Sequence, residues 1–253
     1  MVSDIRAVYF DLDDTLCGYW NASKVGLQRA FELHGPTGFE PAEMVKHWAS
    51  AFRQYAPKLK YTDWYAGYLK NAEPSRTEQM RLTLARLGID DPERSARLSQ
   101  SYMEERDRAL QLFPDSIEVL DVLKAHYPLG LITNGPADVQ RQEIATLGIG
   151  HYFQNIFIEG EMGEGKPAKA VFDKAAAAVG CQPHEVLMVG NSYHHDIQAA
   201  IEHGWHAVWI RRDSDVPPSA AGETTVPEDK PADAPNPDAT IGELSELLPL
   251  LGL

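Results

Sequence analysis

The chain has 253 residues, with 23 Lys and Arg against 37 Asp and Glu, for a net charge of −14 at pH 7. That balance argues against non-specific binding to nucleic acid or an anionic membrane. Hydrophobic residues at 43% exclude wholesale disorder, and the length fits one large domain or a core with an insert, at roughly 100–200 residues per domain.

In chain order, Ala7-Val8-Tyr9-Phe10 is a short apolar run suited to a strand buried on both faces. It breaks off at Asp11-Leu12-Asp13-Asp14-Thr15. From residue 17 to 112 apolar residues recur at helical spacing, as in Val25, Leu27, Ala30 and Phe31. Gly35, Pro41, Pro57, Pro74, Gly88 and Pro92 punctuate this stretch into four or five helices. From Phe113 onward helices and strands alternate. Asp115 is placed to cap a helix carrying Ile117, Leu120 and Leu123. Strands follow at Leu129 to Thr133, Ile156 to Ile158, Val186 to Val189 and Ala207 to Ile210, with helices between them closed by Gly148, Gly180 and Gly204. Such alternation implies a parallel sheet with helices on both faces. Residues 213–238 hold six prolines and seven acids against the single Lys230, which predicts a flexible loop. Ala239-Thr240-Ile241 and the helix-like Glu243 to Leu251 return to folded composition.

Ligands of open parallel sheets bind beyond the carboxyl ends of the strands. The polar residues expected there are Asp11 and Asp13, Thr133 and Asn134, Lys166, and Asn191 with Asp196. Extended backbone would aim Asp11 and Asp13 the same way. Two carboxylates about 4 Å apart repel by roughly 4 kcal/mol at an effective dielectric near 20, so the cluster needs a cation. Lys166 supplies one positive charge, and oxygen ligands without His or Cys suit Mg²⁺. Mg²⁺ takes one or two carboxylates plus a substrate phosphate, so a phosphate would complete the cluster. A carboxylate can form an aspartyl-phosphate, and a second can protonate the leaving oxygen and then activate water.

The segments VYFDLDDTL, LITNG, GEGKP and VGNSYHHDI, in this order, resemble the four motifs of the haloacid dehalogenase (HAD) superfamily. The resemblance covers the chain apart from the proline-rich loop. It implies a Rossmann-like core of residues 1–16 and 113–253, with a helical cap inserted at 17–112. By that likeness Asp11 is the nucleophile, Asp13 the acid/base, and Thr133 and Lys166 bind phosphate; the Asn134 region can also donate hydrogen bonds to phosphate oxygens. Mg²⁺ would sit on Asp11, the main-chain carbonyl of Asp13 and the acidic motif near Asp196. The family usually has Asp where this chain has Asn191. Either Asn191 ligates through its amide oxygen or Asp196 carries the acidic role alone. Simple charge addition predicts that Asn191→Asp tightens Mg²⁺ binding. Members that cleave carbon–halogen bonds usually lack the second Asp, since halide leaves without a proton, so FDLDDTL favours a phosphatase.

The expected activity is therefore Mg²⁺-dependent hydrolysis of a small phosphorylated metabolite. A dehalogenase or phosphonate-cleaving relative, a phosphomutase and a weakened phospho-ligand binder remain as alternatives. Nucleic acid and membrane are not expected as partners, and oligomeric state is unread. GEMGEGK fits the spacing of a nucleotide phosphate loop, but Pro167 stands where the Mg²⁺-holding hydroxyl belongs. His194, His195, His203 and His206 read as histidines around a helix, at the surface or backing the site, rather than as a zinc site. The aromatics Tyr19, Trp20, Trp48, Phe52, Tyr55, Tyr61, Trp64, Tyr65 and Tyr68 of the insert read mostly as bundle core, with Arg53, Lys58 and Lys60 as candidate readers of an anionic group. Cys17 and Cys181 stand in no metal-like spacing and suggest a reducing compartment. No apolar run approaches the roughly 18 residues of a membrane span. Met1 to Arg6 has no apolar signal-peptide core. A soluble, cytoplasmic enzyme is the reading.

Overall fold

The computed structural model describes residues 4–253; the first three residues of the stretch read for a signal peptide lie outside them. After β1 (Ala7–Phe10) come five helices: α1 (Tyr19–His34), α2 (Pro41–Leu59), α3 (Tyr65–Tyr68), α4 (Glu73–Ala85) and α5 (Pro92–Ala109). Then α6 (Ser116–Lys124), β2 (Leu129–Thr133), α7 (Ala137–Leu147), β3 (Asn155–Ile158), α8 (Glu159–Met162), α9 (Lys169–Ala178) and β4 (Val186–Gly190) alternate. The chain finishes through α10 (Ala199–Glu202), β5 (His206–Ile210), β6 (Ala239–Ile241) and α11 (Leu247–Leu250).

The chain forms two compact units. The first comprises residues 4–18, 111–215 and 227–253, and carries the six strands of the described residues in one parallel sheet of order β3-β2-β1-β4-β5-β6. Every residue of β1, β2 and β4 is buried, as strands covered on both faces require. The order runs outward from β1 in one direction through β2 and β3, and in the other through β4, β5 and β6. The crevice between β1 and β4 is thus the topological switch point. Phe10 pairs with Val189 there, and the Asp11 N–H donates to the Val189 carbonyl at 2.9 Å. Tyr9, Phe172, Trp205, Tyr193 and Trp209 fill one side of the sheet. Tyr9 lies over Gly130 so closely that a Cβ there would sit 2.0 Å from its ring.

Asp115 precedes α6 without capping it. Its carboxylate instead accepts from the Ser245 N–H at 3.2 Å and meets Arg212, whose guanidinium stacks over Phe113 at 3.7 Å. A charged partner and a distant amide outcompete the local cap.

The second unit comprises residues 19–110 and 216–226. Leu27, Phe31, Met44, Trp48, Met80, Leu84, Leu98 and Tyr102 form its core. Gly26 lets α1 approach α5, since a Cβ would stand 2.8 Å from the Arg106 backbone nitrogen. Trp48 is buried and stacks on Phe52. Of the aromatics read mostly as bundle core, Tyr61 and Trp64 are 87% and 57% exposed; they fall in the turn after α2, where helical periodicity stops.

The proline-rich stretch has little regular structure, but named contacts hold it. Residues 216–226 belong to the helical unit, where Glu223 pairs with Arg53 at 2.8 Å. Arg53, a candidate reader of anions, is thereby paired with an acid of the chain itself. On the sheet unit, Glu228 accepts from the Tyr193 N–H at 2.7 Å, and the Tyr193 hydroxyl donates to the Pro235 carbonyl. Among the described residues no helix is long and apolar enough to cross a membrane.

Gly130→Ala should destabilise the sheet unit by about 1–3 kcal/mol through overpacking against Tyr9. A lowered urea midpoint with unchanged m-value would show it.

Candidate active site

At the carboxyl edge of the sheet, β1 ends at Phe10, and Leu16 N–H donates back to the Leu12 carbonyl at 2.9 Å. Asp14 takes a left-handed conformation, φ 57°, which Asp tolerates better than most residues. Asp11 and Asp13 have different hydrogen-bond partners.

Asp11 faces Lys166. The ammonium lies 2.7 Å from Asp11 Oδ1 and 2.6 Å from Asp196 Oδ1, and the lysine side chain is 2% exposed. Asp11 Oδ2 accepts from the Thr15 hydroxyl at 3.1 Å. Burial, reinforced by the neighbouring Asp196 charge and opposed by Lys166, pushes Asp11 up to about 6. Burial likewise raises Asp196. Burial works to lower the Lys166 ammonium, but the two carboxylates outweigh it and hold it above the ordinary lysine value.

Lys166 is held by its backbone as well as its tip. The Asn134 amide donates to the Lys166 carbonyl at 2.7 Å and accepts its N–H at 2.8 Å. Asn134, read from the sequence as part of a phosphate-binding region, has its side chain on the lysine main chain. Gly165 makes the clasp possible, because a Cβ would come within 2.5 Å of Asn134 Oδ1. Glu159 accepts from the Gly135 N–H at 3.0 Å and steadies the same turn.

Asp13 faces Gln140, a residue sequence reasoning missed. Gln140 Nε2 donates to Asp13 Oδ2 and to Glu143 Oε2, both at 3.0 Å, while the Thr133 hydroxyl donates to Gln140 Oε1 at 2.6 Å. Thr133, Gln140 and Glu143 are all buried. The available signal was the register of α7, where Gln140 and Glu143 share the buried face with Val139 and Ile144. A polar pair in an apolar stripe marks a site or a network. Cys17 packs beside this group. Burial first, then Asp13 and Glu143, push its thiol well up, as expected of a packed residue rather than a nucleophile.

After β4 the chain makes a wide turn over Tyr193–Gln198. Asp196 Oδ2 accepts from the Ser192 N–H at 2.9 Å. Gly190 permits this fold-back, since a Cβ would stand 2.3 Å from Asp196 Oδ2. Both oxygens of Asp196 thus already have partners. Asn191 Oδ1 lies 3.3 Å from the Thr15 hydroxyl, the same hydroxyl that meets Asp11 Oδ2, and its Nδ2 donates to Asp215 at 2.8 Å. Asp11 Oδ2 and Asn191 Oδ1 form an oxygen-only set of hard donors, with one cation already shared between Asp11 and Asp196. This chemistry fits Mg²⁺. Of the four histidines, His195 contacts the Ser192 hydroxyl at 3.1 Å, His203 contacts the Pro167 carbonyl and His206 pairs with Asp238.

The fold and the polar cluster together define an α/β enzyme core with its charged groups at the switch point of a parallel sheet. The chain belongs to the haloacid dehalogenase-like hydrolases, whose family model matches residues 8–210, and it is a hydrolase. It is 30% identical to a phosphoserine phosphatase of Thermus thermophilus, over 96% of this chain and 98% of that one. It is 29% identical to the N-acylneuraminate-9-phosphatase of Rattus norvegicus, over 85% and 86% of the two chains. Among solved structures, the magnesium-bound HAD-hydrolase YfnB of Bacillus subtilis matches with TM-score 0.74 at 20% identity, over 98% of this chain and 99% of that one. The L-2-haloacid dehalogenase of Xanthobacter autotrophicus matches with TM-score 0.69 at 20% identity, over 98% of each. These two structural likenesses establish the fold.

Lys166→Met should cost about 3–5 kcal/mol, because two buried carboxylates lose the cation they share; urea unfolding measures it. A second expectation concerns pH. With Asp11 raised from 3.8 to about 6 in the folded protein, that protein holds a proton which the unfolded chain releases. Asp11 therefore makes stability fall as pH rises through this window. Urea midpoints compared with those of Asp11→Asn at the two ends of the window should show the slope in wild type and its reduction in the variant.

Proposed function

We propose that the protein is a Mg²⁺-dependent phosphatase that hydrolyses a small phosphomonoester through an aspartyl-phosphate on Asp11. The observation that carries this reading is the division of labour between two acids two residues apart. Asp11 is bound to Lys166 and Thr15, whereas Asp13 is turned to Gln140. A hydrolase that cleaved carbon–halogen bonds would have no use for the second acid, because halide departs without a proton.

Asp11 is ionised at neutral pH even at its raised value, so an oxygen lone pair is available to attack phosphorus. The P–O bond to the substrate breaks as the Asp11 O–P bond forms, and Asp13 gives its proton to the departing alkoxide. Asp13, now a carboxylate, takes a proton from water. The resulting hydroxide attacks phosphorus, releases inorganic phosphate and restores Asp11. Lys166 offers positive charge to the oxygens of the group in transfer. Thr133 offers its hydroxyl to the same oxygens, breaking its bond to Gln140. A bound Mg²⁺ ion, held by Asp11, the Asp13 main-chain carbonyl and Asn191, would neutralise phosphate charge during transfer. Of the two residues left open for the last position, Asn191 is favoured because both Asp196 oxygens have other partners.

The similarity to phosphatases of phosphoserine and of an N-acylneuraminate phosphate supports a small phosphorylated metabolite as substrate. We assign substrate choice to the helical unit, in the role of the family's cap. Two buried free cysteines are in keeping with a reducing, cytoplasmic setting.

A screen of phosphorylated metabolites with Mg²⁺, read by phosphate release, tests the proposal. Asp11→Asn should abolish turnover in a folded protein. Asp13→Asn should lower it by about 10²–10⁴-fold, the usual worth of a general acid/base. Full release by Asp11→Asn would overturn the nucleophile assignment.

A further inference from the structure

Asn191 poses a problem that the family resemblance does not solve. An amide presents either an oxygen or an NH₂ group, and only the oxygen can face a cation. Something must choose between the two orientations. We infer that Asp215, on the loop after β5, is the positioning residue that makes this choice. The inference rests on the Mg²⁺ reading above and adds a residue to it.

Three contacts carry it. The Asn191 carbonyl accepts from Trp209 Nε1 at 2.7 Å, so its backbone is anchored. The amide nitrogen donates to Asp215 Oδ2 at 2.8 Å. The amide oxygen, on the opposite side, lies 3.3 Å from the Thr15 hydroxyl that also meets Asp11 Oδ2. Turning the amide over would press its oxygen against the Asp215 carboxylate. It would also aim an NH₂ group at Thr15 and Asp11. The Thr15 contact tolerates either orientation, because a hydroxyl both donates and accepts. The Asp215 contact does not, because an ionised carboxylate only accepts. Hydrogen bonds to a charged acceptor are about twice as strong as neutral ones, so the orientation is firmly set.

Asp215 also stands where the chain leaves the sheet unit, since residues 216–226 belong to the helical unit. Its backbone N–H donates to the Arg212 carbonyl at 3.1 Å, a turn that directs the side chain back to Asn191. The acidic loop thus supplies one negative charge to the turn after β4, where Asn191 itself has none.

This alters the expectation for Asn191→Asp. That substitution adds charge, but it sets two carboxylates against each other across a 2.8 Å contact. Charge addition alone does not describe it.

The test is a four-protein cycle: wild type, Asp215→Asn, Asn191→Asp, and the exchange Asn191→Asp/Asp215→Asn. Affinity for Mg²⁺ alone is measured by calorimetry without substrate, and circular dichroism checks folding. Asp215→Asn in the wild-type background should weaken Mg²⁺ at least about fivefold, the lower end of ordinary coupling between sites. In the Asn191→Asp background the same substitution should cost nothing or tighten binding, because the amide introduced at position 215 then donates to the carboxylate introduced at position 191 and leaves its other oxygen facing inward. A role through charge alone predicts the same loss in both backgrounds. Equal losses, or no loss in either, overturn the inference and leave the phosphatase reading standing. Absence of Mg²⁺ binding by wild type overturns both. Should Asp215→Asn unfold, Asp215→Glu replaces it. That variant keeps the charge and should still weaken Mg²⁺ in the wild-type background only.

Discussion

A buried ammonium between two buried carboxylates organises the sheet unit. Lys166 touches Asp11 from the end of β1 and Asp196 from the turn after β4. Removing three charges from water is expensive, and the arrangement survives only with good geometry and further hydrogen bonds. The surroundings provide both. Asn134 grips the lysine main chain on both sides, Glu159 steadies the turn that carries Asn134, and Ser192 donates to Asp196. Gly165 and Gly190 lack side chains where a Cβ would collide with this machinery.

The same geometry separates the two acids of the first motif. Asp11 lies beside a cation, and Asp13 lies beside an amide that also serves Glu143. Two titratable groups in unlike environments can divide the roles of nucleophile and proton carrier. Strand β1 does not need to be distorted for this. It ends at Phe10, and Asp13 beyond it accepts from Gln140 of α7.

The acid- and proline-rich stretch shows where composition misleads. Seven acids and six prolines within 213–238 describe a segment with too little apolar surface to form a core. That is true of it in isolation. In the folded chain several of its acids meet donors from other segments. Asp215 takes the Asn191 amide, Glu223 takes Arg53, and Glu228 takes the Tyr193 N–H. Composition reports what a segment can bury, whereas these contacts depend on what lies opposite.

Strands β1 to β5, their parallel arrangement and the placing of Asp11, Asp13, Thr133, Lys166, Asn191 and Asp196 at or after strand ends were legible in the sequence, whereas β6 was not legible as a strand. Apolar runs, helix stops at glycine and the position of motifs at strand ends are local patterns, and local patterns survive without coordinates. The partners of those side chains were not legible. Asn134 serves Lys166, Gln140 joins Thr133 to Asp13, and Asp215 meets Asn191 across 24 positions. A hydrogen bond is decided by which donor arrives within about 3 Å of which acceptor, and that follows from packing between segments far apart in the chain. Residue types at strand ends determined what chemistry was available; only the tertiary structure decided which atom each group holds.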